Sequence, residues 1–204
     1  YLLHRDNPAL PVGPIVEILN EHHRAGKIRA FGGSNWTDKR IQEANDYALA
    51  HGLVPFTASS PHFSLAETVE SPWGPGCVTV SGPSESDARA WYARTGMPLF
   101  AYSSLARGLF SGRLTRENYR EVADSACQRA YCHEVNFRRL DRARELAQRK
   151  GLMVPQVALA YVLNQPLNIF AIIGAACVKE IQECTEAVEV KLSPEELAWL
   201  DLGS

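Results

Sequence analysis

The sequence predicts an α/β fold built on a parallel sheet. Five apolar segments alternate with helical patterns along its 204 residues, and these segments are too apolar for one face to be solvated. Strands of this kind are typical of parallel sheets that helices cover. A polar residue follows each of the first four segments and Gly174–Ala175 follows the fifth, which places these residues along one edge of the sheet. The length fits one domain, and we expect residues 1–204 to form it.

The chain divides into successive strand–helix units, and each of the first two contains one strand and one amphipathic helix. YLLHR at residues 1–5 predicts a strand, and PVGPIVEILNEHHRAG at 11–26 predicts a helix. KIRAFGGSN at 27–35 predicts the second strand, and residues 37–52 predict the second helix. The expected buried faces of the two helices carry Ile15, Ile18, Leu19 and His22, and then Ile41, Ala44 and Ala48.

Loops are more extensive in the third and fourth units. PFTASSP at 55–61 predicts a strand, and the Pro-, Gly- and Ser-rich residues 71–85 predict a loop that leads into a helix. PLFAYSS at 98–104 predicts the fourth strand. The polar stretch from Arg107 to Val135 shows weak periodicity, and a loop of this length in a compact domain is usually functional or mobile.

The rest of the chain predicts two helices, a strand and two further helices. These are, in order, residues 137–151, 154–166, 169–175, 179–190 and 192–202. In the last helix Ser193 is the expected N-cap, and Glu196 completes a capping box with it.

Composition excludes several classes of protein. The net charge of −2 provides no broad basic surface, so we expect neither a nucleic acid nor a membrane as partner. The apolar residues 154–178 include Asn and Pro and cannot form one membrane span. With no secretory signal pattern and five cysteines, we expect a cytoplasmic protein with reduced thiols. Cys127, Cys132 and His133 lack an obvious fourth ligand, so we assign no metal site.

Two architectures fit the alternating pattern, an open doubly wound sheet and a barrel. Gly32-Gly33-Ser34 is not the G-x-G-x-x-G pattern of a dinucleotide-binding open sheet. In a (β/α)8 barrel, polar residues at strand ends form one active-site rim, but five strands do not close a barrel. The residues at the predicted strand ends are His4, Ser34–Asn35, Ser59–Ser60, Tyr102–Ser103 and Gly174–Ala175.

The motifs LLHR, GKIRAFGGSNW, AYSSLARGLFSGR, IIGA and LSPEELAWLD occur in an order and spacing that resemble the aldo-keto reductases. The resemblance implies a partial (β/α)8 TIM barrel that contains strands 4–8 and lacks three N-terminal units, so that the chain would be a fragment. It also implies NAD(P)-dependent reduction of a small-molecule carbonyl substrate, or oxidation of an alcohol.

For catalysis, the resemblance implies that His4 orients the substrate. The aspartate, tyrosine and lysine that complete the family's catalytic tetrad have no match here, so this chain alone is expected to be inactive. A non-catalytic half-barrel that binds a partner is the alternative. A third hypothesis, a phosphate-binding barrel enzyme such as an isomerase or aldolase, rests only on Gly174–Ala175.

For the cofactor, NADP or NAD, the resemblance implies contacts along the strand ends. Ser34 and Asn35 would bind the nicotinamide carboxamide, Tyr102 would stack on the ring, and Ser60 stands where the family usually has glutamine. The positions implied for the pyrophosphate and the adenosine end are Ser103, Ser104, Leu105 and Gly108, and then Gly174, Ala175 and Glu183.

The adenosine end departs from the pattern of reductases that prefer the phosphorylated cofactor. Ala176, Glu180 and Cys184 replace residues that would favour a 2′-phosphate, and Lys179 is expected to be the only nearby cation. Either the phosphorylated form binds weakly, or NAD is used, or no dinucleotide binds. If a dinucleotide binds, we expect NADH not to be much weaker than NADPH.

A partial barrel would leave two edge strands without blunting residues. The strands at Tyr1–Arg5 and Ile169–Gly174 should then pair with a second copy, giving a homodimer, or with a missing N-terminal segment.

Overall fold

The computed structural model describes residues 1–203, which form five short strands and nine α-helices. The strands are all parallel and follow one another across the sheet in chain order. Their bounds are β1 Leu2–Leu3, β2 Gly32–Ser34, β3 Ser59–Ser60, β4 Leu99–Ala101 and β5 Ile169–Ala171.

The helices fill the connections between the strands and the C-terminal part of the chain. They are α1 Val12–Arg24, α2 Asp38–Ala50, α3 Ser86–Thr95, α4 Tyr119–Val122, α5 Ser125–Tyr131, α6 Glu134–Lys150, α7 Val154–Leu163, α8 Val178–Glu186 and α9 Pro194–Leu202. Short 3₁₀ turns cover Pro83–Glu85, Ala106–Gly108 and Ala187–Glu189.

Glycines in β2 allow the neighbouring strands and the following helix to approach closely. A Cβ on Gly32 would lie 1.9 Å from the carbonyl oxygen of Ala58, and one on Gly33 would lie 2.6 Å from the Trp36 ring. No side chain fits in either space. The glycine pair therefore serves packing in the sheet, in agreement with its failure to match a dinucleotide-binding glycine motif.

The prediction of an α/β fold with a parallel sheet is confirmed, but the prediction of a partial (β/α)8 TIM barrel is wrong. The described strands form an open five-stranded sheet with the order β1-β2-β3-β4-β5, in which β1 pairs only with β2 and β5 only with β4. Within the described residues the sheet is open, and its strand order shows no pairing that would begin to close a barrel. The error arose because strand-end motifs specify local strand and loop geometry and do not specify closure.

Both edges of the sheet expose apolar side chains. The exposed fraction is 69% for Tyr1 and 49% for Phe170, and Ile172 and Ile173 beyond β5 are also exposed. Phe170 stacks on Phe100 of the neighbouring strand, with ring centroids 5.0 Å apart. Among the described helices, none combines the length and the apolar composition needed to cross a bilayer.

The stretch from Arg107 to Val135 is not a plain loop. It contains α4 and α5, and the Asp124 side chain accepts a hydrogen bond from the Cys127 backbone N–H (2.7 Å) at the start of α5. Helices this short give little periodic signal in a sequence. The α5 helix packs against the turn that follows β4, close to the carboxyl edge of the sheet.

Candidate functional site at the strand ends

Three adjoining cavities follow the carboxyl ends of the strands, where ligands bind in open parallel sheets. The first has a volume of about 330 Å³ and is lined by His4, Arg5, Ser34, Asn35, Ser60, Trp73, Cys77 and Tyr102. The second, of about 370 Å³, is lined by Ser103, Ser104, Leu105, Arg107, Gly108, Ile172, Ile173 and Gly174. The third, of about 720 Å³, shares Leu105, Gly108 and Gly174 with the second.

The first cavity is organised around the buried side chain of Asn35. Its Nδ2 donates to the carbonyl oxygen of His4 (3.2 Å), while its Oδ1 accepts from the Val78 backbone N–H (3.0 Å) and from the Tyr102 hydroxyl (2.6 Å). The Asn35 backbone lies in the left-handed region, with φ of 57°, which asparagine tolerates better than most residues. Asn35 therefore ties together the ends of β1, β2 and β4.

The two serines of this cavity are also held by backbone groups. The Ser34 hydroxyl donates to the carbonyl oxygen of Ser60 (2.9 Å), and the Ser60 hydroxyl donates to that of Phe100 (2.8 Å). The sequence-predicted residues Ser34, Asn35 and Ser60 thus come together as expected, and each of the three side chains already has a protein partner.

Tyr102 and His4 complete the predicted set in the first cavity. Burial raises the pKa of the Tyr102 hydroxyl above its ordinary value, so the side chain stays a neutral phenol around pH 7. His4 is exposed at the rim, which excludes the core histidine that a strand-end position also allows. Its imidazole can reach a ligand, while its carbonyl oxygen is used by Asn35.

Trp73 also lines this cavity, from the loop that follows β3. Its ring meets Tyr102 edge-on, with centroids 5.4 Å apart. Arg5 donates to the carbonyl oxygens of Trp73 (3.1 Å) and Pro75, and the Arg107 guanidinium lies 5.2 Å from the Trp73 ring centroid. The loop after β3 is therefore fixed over the first cavity from two sides.

The second cavity is built from strained backbone. Among the described residues, the non-glycine positions with positive φ are Asn35, Ser103, Ala106 and Arg107, and all four lie in or beside the first two cavities. Each such residue costs on the order of 1–3 kcal/mol, and such strain clusters at functional sites. Gly108, with φ of 93°, continues the same turn. Successive turns of this kind direct backbone N–H groups into anion-binding concavities.

Ser104 anchors this turn to the sheet. Its hydroxyl bridges the carbonyl oxygens of Ala101 (2.9 Å) and Ile172 (3.1 Å), at the ends of β4 and β5. The predicted residues Ser103, Ser104, Leu105, Gly108 and Gly174 all line the second cavity. Ala175 is exposed and lines none of the three cavities.

The third cavity is rich in charges, and sequence reasoning found only some of them. Glu183 lines it as predicted and lies 3.8 Å from Lys179. Arg113 and Arg144 also line it, so the expectation that Lys179 is the only nearby cation is wrong. These arginines lie more than thirty residues before α8 in the sequence, and only the folded chain brings them there.

Glu180 occupies the start of α8. Its carboxylate accepts a hydrogen bond from the Ala176 backbone N–H (2.7 Å) and lies 3.8 Å from the Arg113 guanidinium. A free N–H at a helix start is a common phosphate-binding group. Here the Ala176 N–H already donates to the Glu180 carboxylate, which is negatively charged like a phosphate.

Comparisons with known proteins agree with this arrangement. The model of the aldo/keto reductase family matches residues 1–202. Versiconal hemiacetal acetate reductase of Aspergillus parasiticus is 28% identical over 203 residues, which cover 98% of this chain and 55% of that protein. This chain spans about half the length of the curated relatives it matches.

Two solved structures support the fold. An aldo-keto reductase from Klebsiella pneumoniae in complex with NADPH matches with a TM-score of 0.65 and 25% identity, covering 98% of this chain and 56% of that one. A thermostable aldo-keto reductase crystallised with the inhibitor epalrestat matches with a TM-score of 0.67 and 24% identity, again over 98% of this chain and 58% of that one.

These matches also correct the expected fold description. The family model and the structural matches run along nearly the whole chain. A barrel fragment that lacks three units is therefore the wrong description, and the fold is the five-stranded parallel α/β sheet given above. With the motifs, the sheet and the family model in agreement, the chain belongs to the aldo-keto reductase family.

Proposed function

We propose that this chain binds a nicotinamide dinucleotide, NADP or NAD, across the three cavities, and serves NAD(P)-dependent carbonyl reduction or alcohol oxidation by hydride transfer. The observation that carries the proposal is the row of adjoining cavities at the strand ends, with the strained turn Ser103–Gly108 at its centre. The Klebsiella relative that was solved with NADPH supports this choice of ligand.

The chemistry of each cavity suits one part of the dinucleotide. The first offers an aromatic ring at Tyr102 and polar groups at Ser34, Asn35 and Ser60, which suits a flat ring with a carboxamide. Because the side-chain partners of Asn35 are already taken, we assign Asn35 chiefly to positioning Tyr102. The Ser34 and Ser60 hydroxyl oxygens keep lone pairs that can accept from an amide N–H.

The second cavity suits the pyrophosphate, and the third suits the adenosine end. The backbone of the Ser103–Gly108 turn would hold the phosphates, helped by the Arg107 guanidinium. In the third cavity Glu183 is placed to accept from an adenine amino group, beside Gly174. Ala175, outside the lining, would contribute at most through its backbone.

A bound nicotinamide would supply the hydride chemistry, and the residues of this chain would supply orientation and electrostatics. His4, exposed at the mouth of the first cavity, can donate a hydrogen bond to a carbonyl oxygen and so orient a small carbonyl substrate. Trp73 beside it gives the substrate an apolar surface. That this chain alone shows no turnover stays a prediction, to be tested by following NADPH absorbance with a reactive aldehyde.

As a partner, we propose a second copy of this chain. Both edges of the sheet are unpaired in the described residues, and they expose Tyr1 and Phe170. Edges of this kind favour strand pairing between chains. Light scattering should give about twice the chain mass of 22.6 kDa, whereas a stable monomer would contradict this proposal.

Calorimetric titration tests the proposed cofactor. NADPH and NADH should both bind to the unmodified protein, and Tyr102→Leu should weaken both by about tenfold, since an aromatic pair contributes ~0.5–1.5 kcal/mol beyond its area. Tyr47→Leu, at a half-buried tyrosine of α2 that lines none of the three cavities, is the matched control and should bind normally. Absence of binding to the unmodified protein would refute the proposal.

A further inference from the structure

Two buried thiols lie side by side next to the second cavity. The Sγ atoms of Cys127 and Cys132 are 4.0 Å apart, and both residues are free cysteines. The exposed fraction is 0% for Cys127 and 7% for Cys132. Neither thiol lines any of the three cavities, so the proposed cofactor site does not account for the pair.

The local backbone explains why these two side chains meet. Residues five apart on a regular α-helix point in different directions. Here α5 ends at Tyr131, and Cys132 leaves the helix with φ of −80° and ψ of 63°. Its backbone N–H donates to the Cys127 carbonyl oxygen (3.2 Å), which closes a wider turn than a regular helix and brings the two sulfurs together.

The thiol pair is attached to the strained turn of the second cavity. The Cys127 thiol donates a hydrogen bond to the Ala106 carbonyl oxygen (3.7 Å). One turn earlier, Asp124 caps α5 and forms an ion pair with Arg107 (2.7 Å). Ala106 and Arg107 both have positive φ, so the contacts from α5 help to hold an unfavourable backbone conformation.

We propose that Cys127 and Cys132 form a reversible disulfide when a hydroperoxide oxidises the protein, and that this modification releases the Ala106–Gly108 turn. The effect expected on cofactor binding rests on the proposed dinucleotide function, whereas the disulfide itself does not. The site takes a small peroxide as oxidant, and a thiol reductant reverses the modification.

The reaction proceeds through a sulfenic acid. Cys132 is the more exposed of the two thiols, so Cys132 attacks first. Its Sγ forms a bond to one peroxide oxygen as the O–O bond breaks, and the departing hydroxide takes the thiol proton to become water. Cys127 Sγ then attacks Cys132 Sγ, the S–O bond breaks, and the second hydroxide takes the Cys127 proton. With hydrogen peroxide as the oxidant, the two thiols lose two electrons and the peroxide becomes two waters.

The product cannot keep the present contact with the turn. A disulfide S–S bond is about 2.05 Å long, so the two sulfurs must approach from 4.0 Å. Cys127 also loses the only proton that it can donate to the Ala106 carbonyl oxygen. Oxidation therefore removes one of the contacts that hold the positive-φ turn, and it pulls the start of α5 towards Cys132.

Peptide mapping tests the disulfide directly. Trypsin cleaves after Arg120, Arg129 and Arg138, which puts Cys127 and Cys132 in separate peptides, 121–129 and 130–138, with one cysteine each. After hydrogen peroxide and alkylation of the remaining thiols, we expect these two peptides as a cross-linked pair that dithiothreitol separates. If both peptides instead carry alkylated thiols while a dithiol standard is fully oxidised, no such disulfide forms.

Variants and a second measurement separate the two parts of the proposal. Cys127→Ser should abolish the cross-linked pair, and Cys177→Ser, at an exposed thiol, should not. Oxidised protein should bind NADPH roughly tenfold more weakly and recover on reduction. Amide hydrogen exchange of residues 103–108 should rise on oxidation whether or not NADPH binds. A disulfide with unchanged exchange would overturn the release of the turn, and reduced protein that binds no NADPH would refute only the proposed function.

Discussion

The first and third cavities differ in how their polar groups are held. In the first, the Asn35 side chain is buried and has three hydrogen-bond partners from other parts of the chain. In the third, the Arg113 and Lys179 side chains are 73% and 81% exposed. One end of the row is therefore fixed before any ligand arrives, while the other can rearrange around it. Substitutions in the first cavity should change folding and binding together, whereas those in the third should change selectivity alone.

The largest expected effect is the loss of stability in Asn35→Ala. Alanine would leave the Tyr102 hydroxyl and the Val78 N–H without their acceptor, and it tolerates φ of 57° less well than asparagine. We expect the free energy of unfolding to fall by roughly 3 kcal/mol, measured by urea denaturation.

Two controls sharpen this prediction. Asn35→Gly removes the same hydrogen bonds without the backbone strain and should cost roughly 1 kcal/mol less than alanine. Gln148→Ala deletes a similar amide from the exposed lining of the third cavity and should change stability by less than about 0.5 kcal/mol. If Asn35→Ala and Gln148→Ala lower the free energy of unfolding equally, the two cavities do not differ in how their polar groups are held.

Mild acid should lower the stability of the folded protein because of His62, a buried histidine beside the first cavity. This ring packs beside Tyr102, with centroids 5.7 Å apart, and burial lowers its pKa from 6.5 to about 3. Below pH 6.5 the unfolded chain takes up a proton at this residue and the folded chain does not. Stability is therefore fully present above that pH and is lost as pH falls towards 3, by about 2 kcal/mol between pH 7 and pH 5.

Denaturation at several pH values measures this loss for matched variants. His62→Gln should remove most of the dependence between pH 7 and pH 5, whatever its stability at neutral pH. His51→Gln, at an exposed histidine, should retain it. If His62→Gln and the unmodified protein lose stability in parallel, the buried histidine is not the cause.

The smallest expected effect concerns selectivity at the third cavity. Glu180→Gln removes a negative charge beside the Ala176 N–H and Arg113. NADPH affinity should rise several-fold, while NADH affinity should stay nearly constant, because only the former carries a 2′-phosphate. Ala176→Arg should shift the ratio in the same direction. A strong NADPH preference in the unmodified protein would contradict the prediction that NADH is not much weaker than NADPH.

Local patterns predicted much of the fold. The buried face Ile41, Ala44 and Ala48 of α2 is confirmed, with each side chain 0% exposed, and so is the capping box of Ser193 and Glu196. Both depend on residues within one or two turns of each other. Signals of this range are readable in a single sequence because helix geometry fixes which residues are neighbours.

The prediction for α1 was less successful. Ile18 was assigned to its buried face but is 47% exposed, whereas Val12, Val16 and Leu19 are buried. This helix has two apolar stripes, and its packing against α2 and the rest of the core decides which of them is buried. Periodicity alone gives the number of stripes but does not say which one is buried.

For the site, strand-end positions were predictable and distant partners were not. His4, Ser34, Asn35 and Tyr102 each end a predicted strand, and the structure brings them into one cavity. Arg113 and Arg144 reach the third cavity from a segment with weak periodicity and from the side of α6. Which residues meet across such a distance depends on how loops and helices pack, and no local pattern records it.

Amide chemical-shift mapping with NADPH can show whether one ligand spans all three cavities. We expect the resonances of residues 34–35, 103–108 and 174–183 to shift together along one saturation curve, while those of α9 stay unchanged. Shifts confined to a single cavity, or centred outside the strand ends, would contradict this expectation.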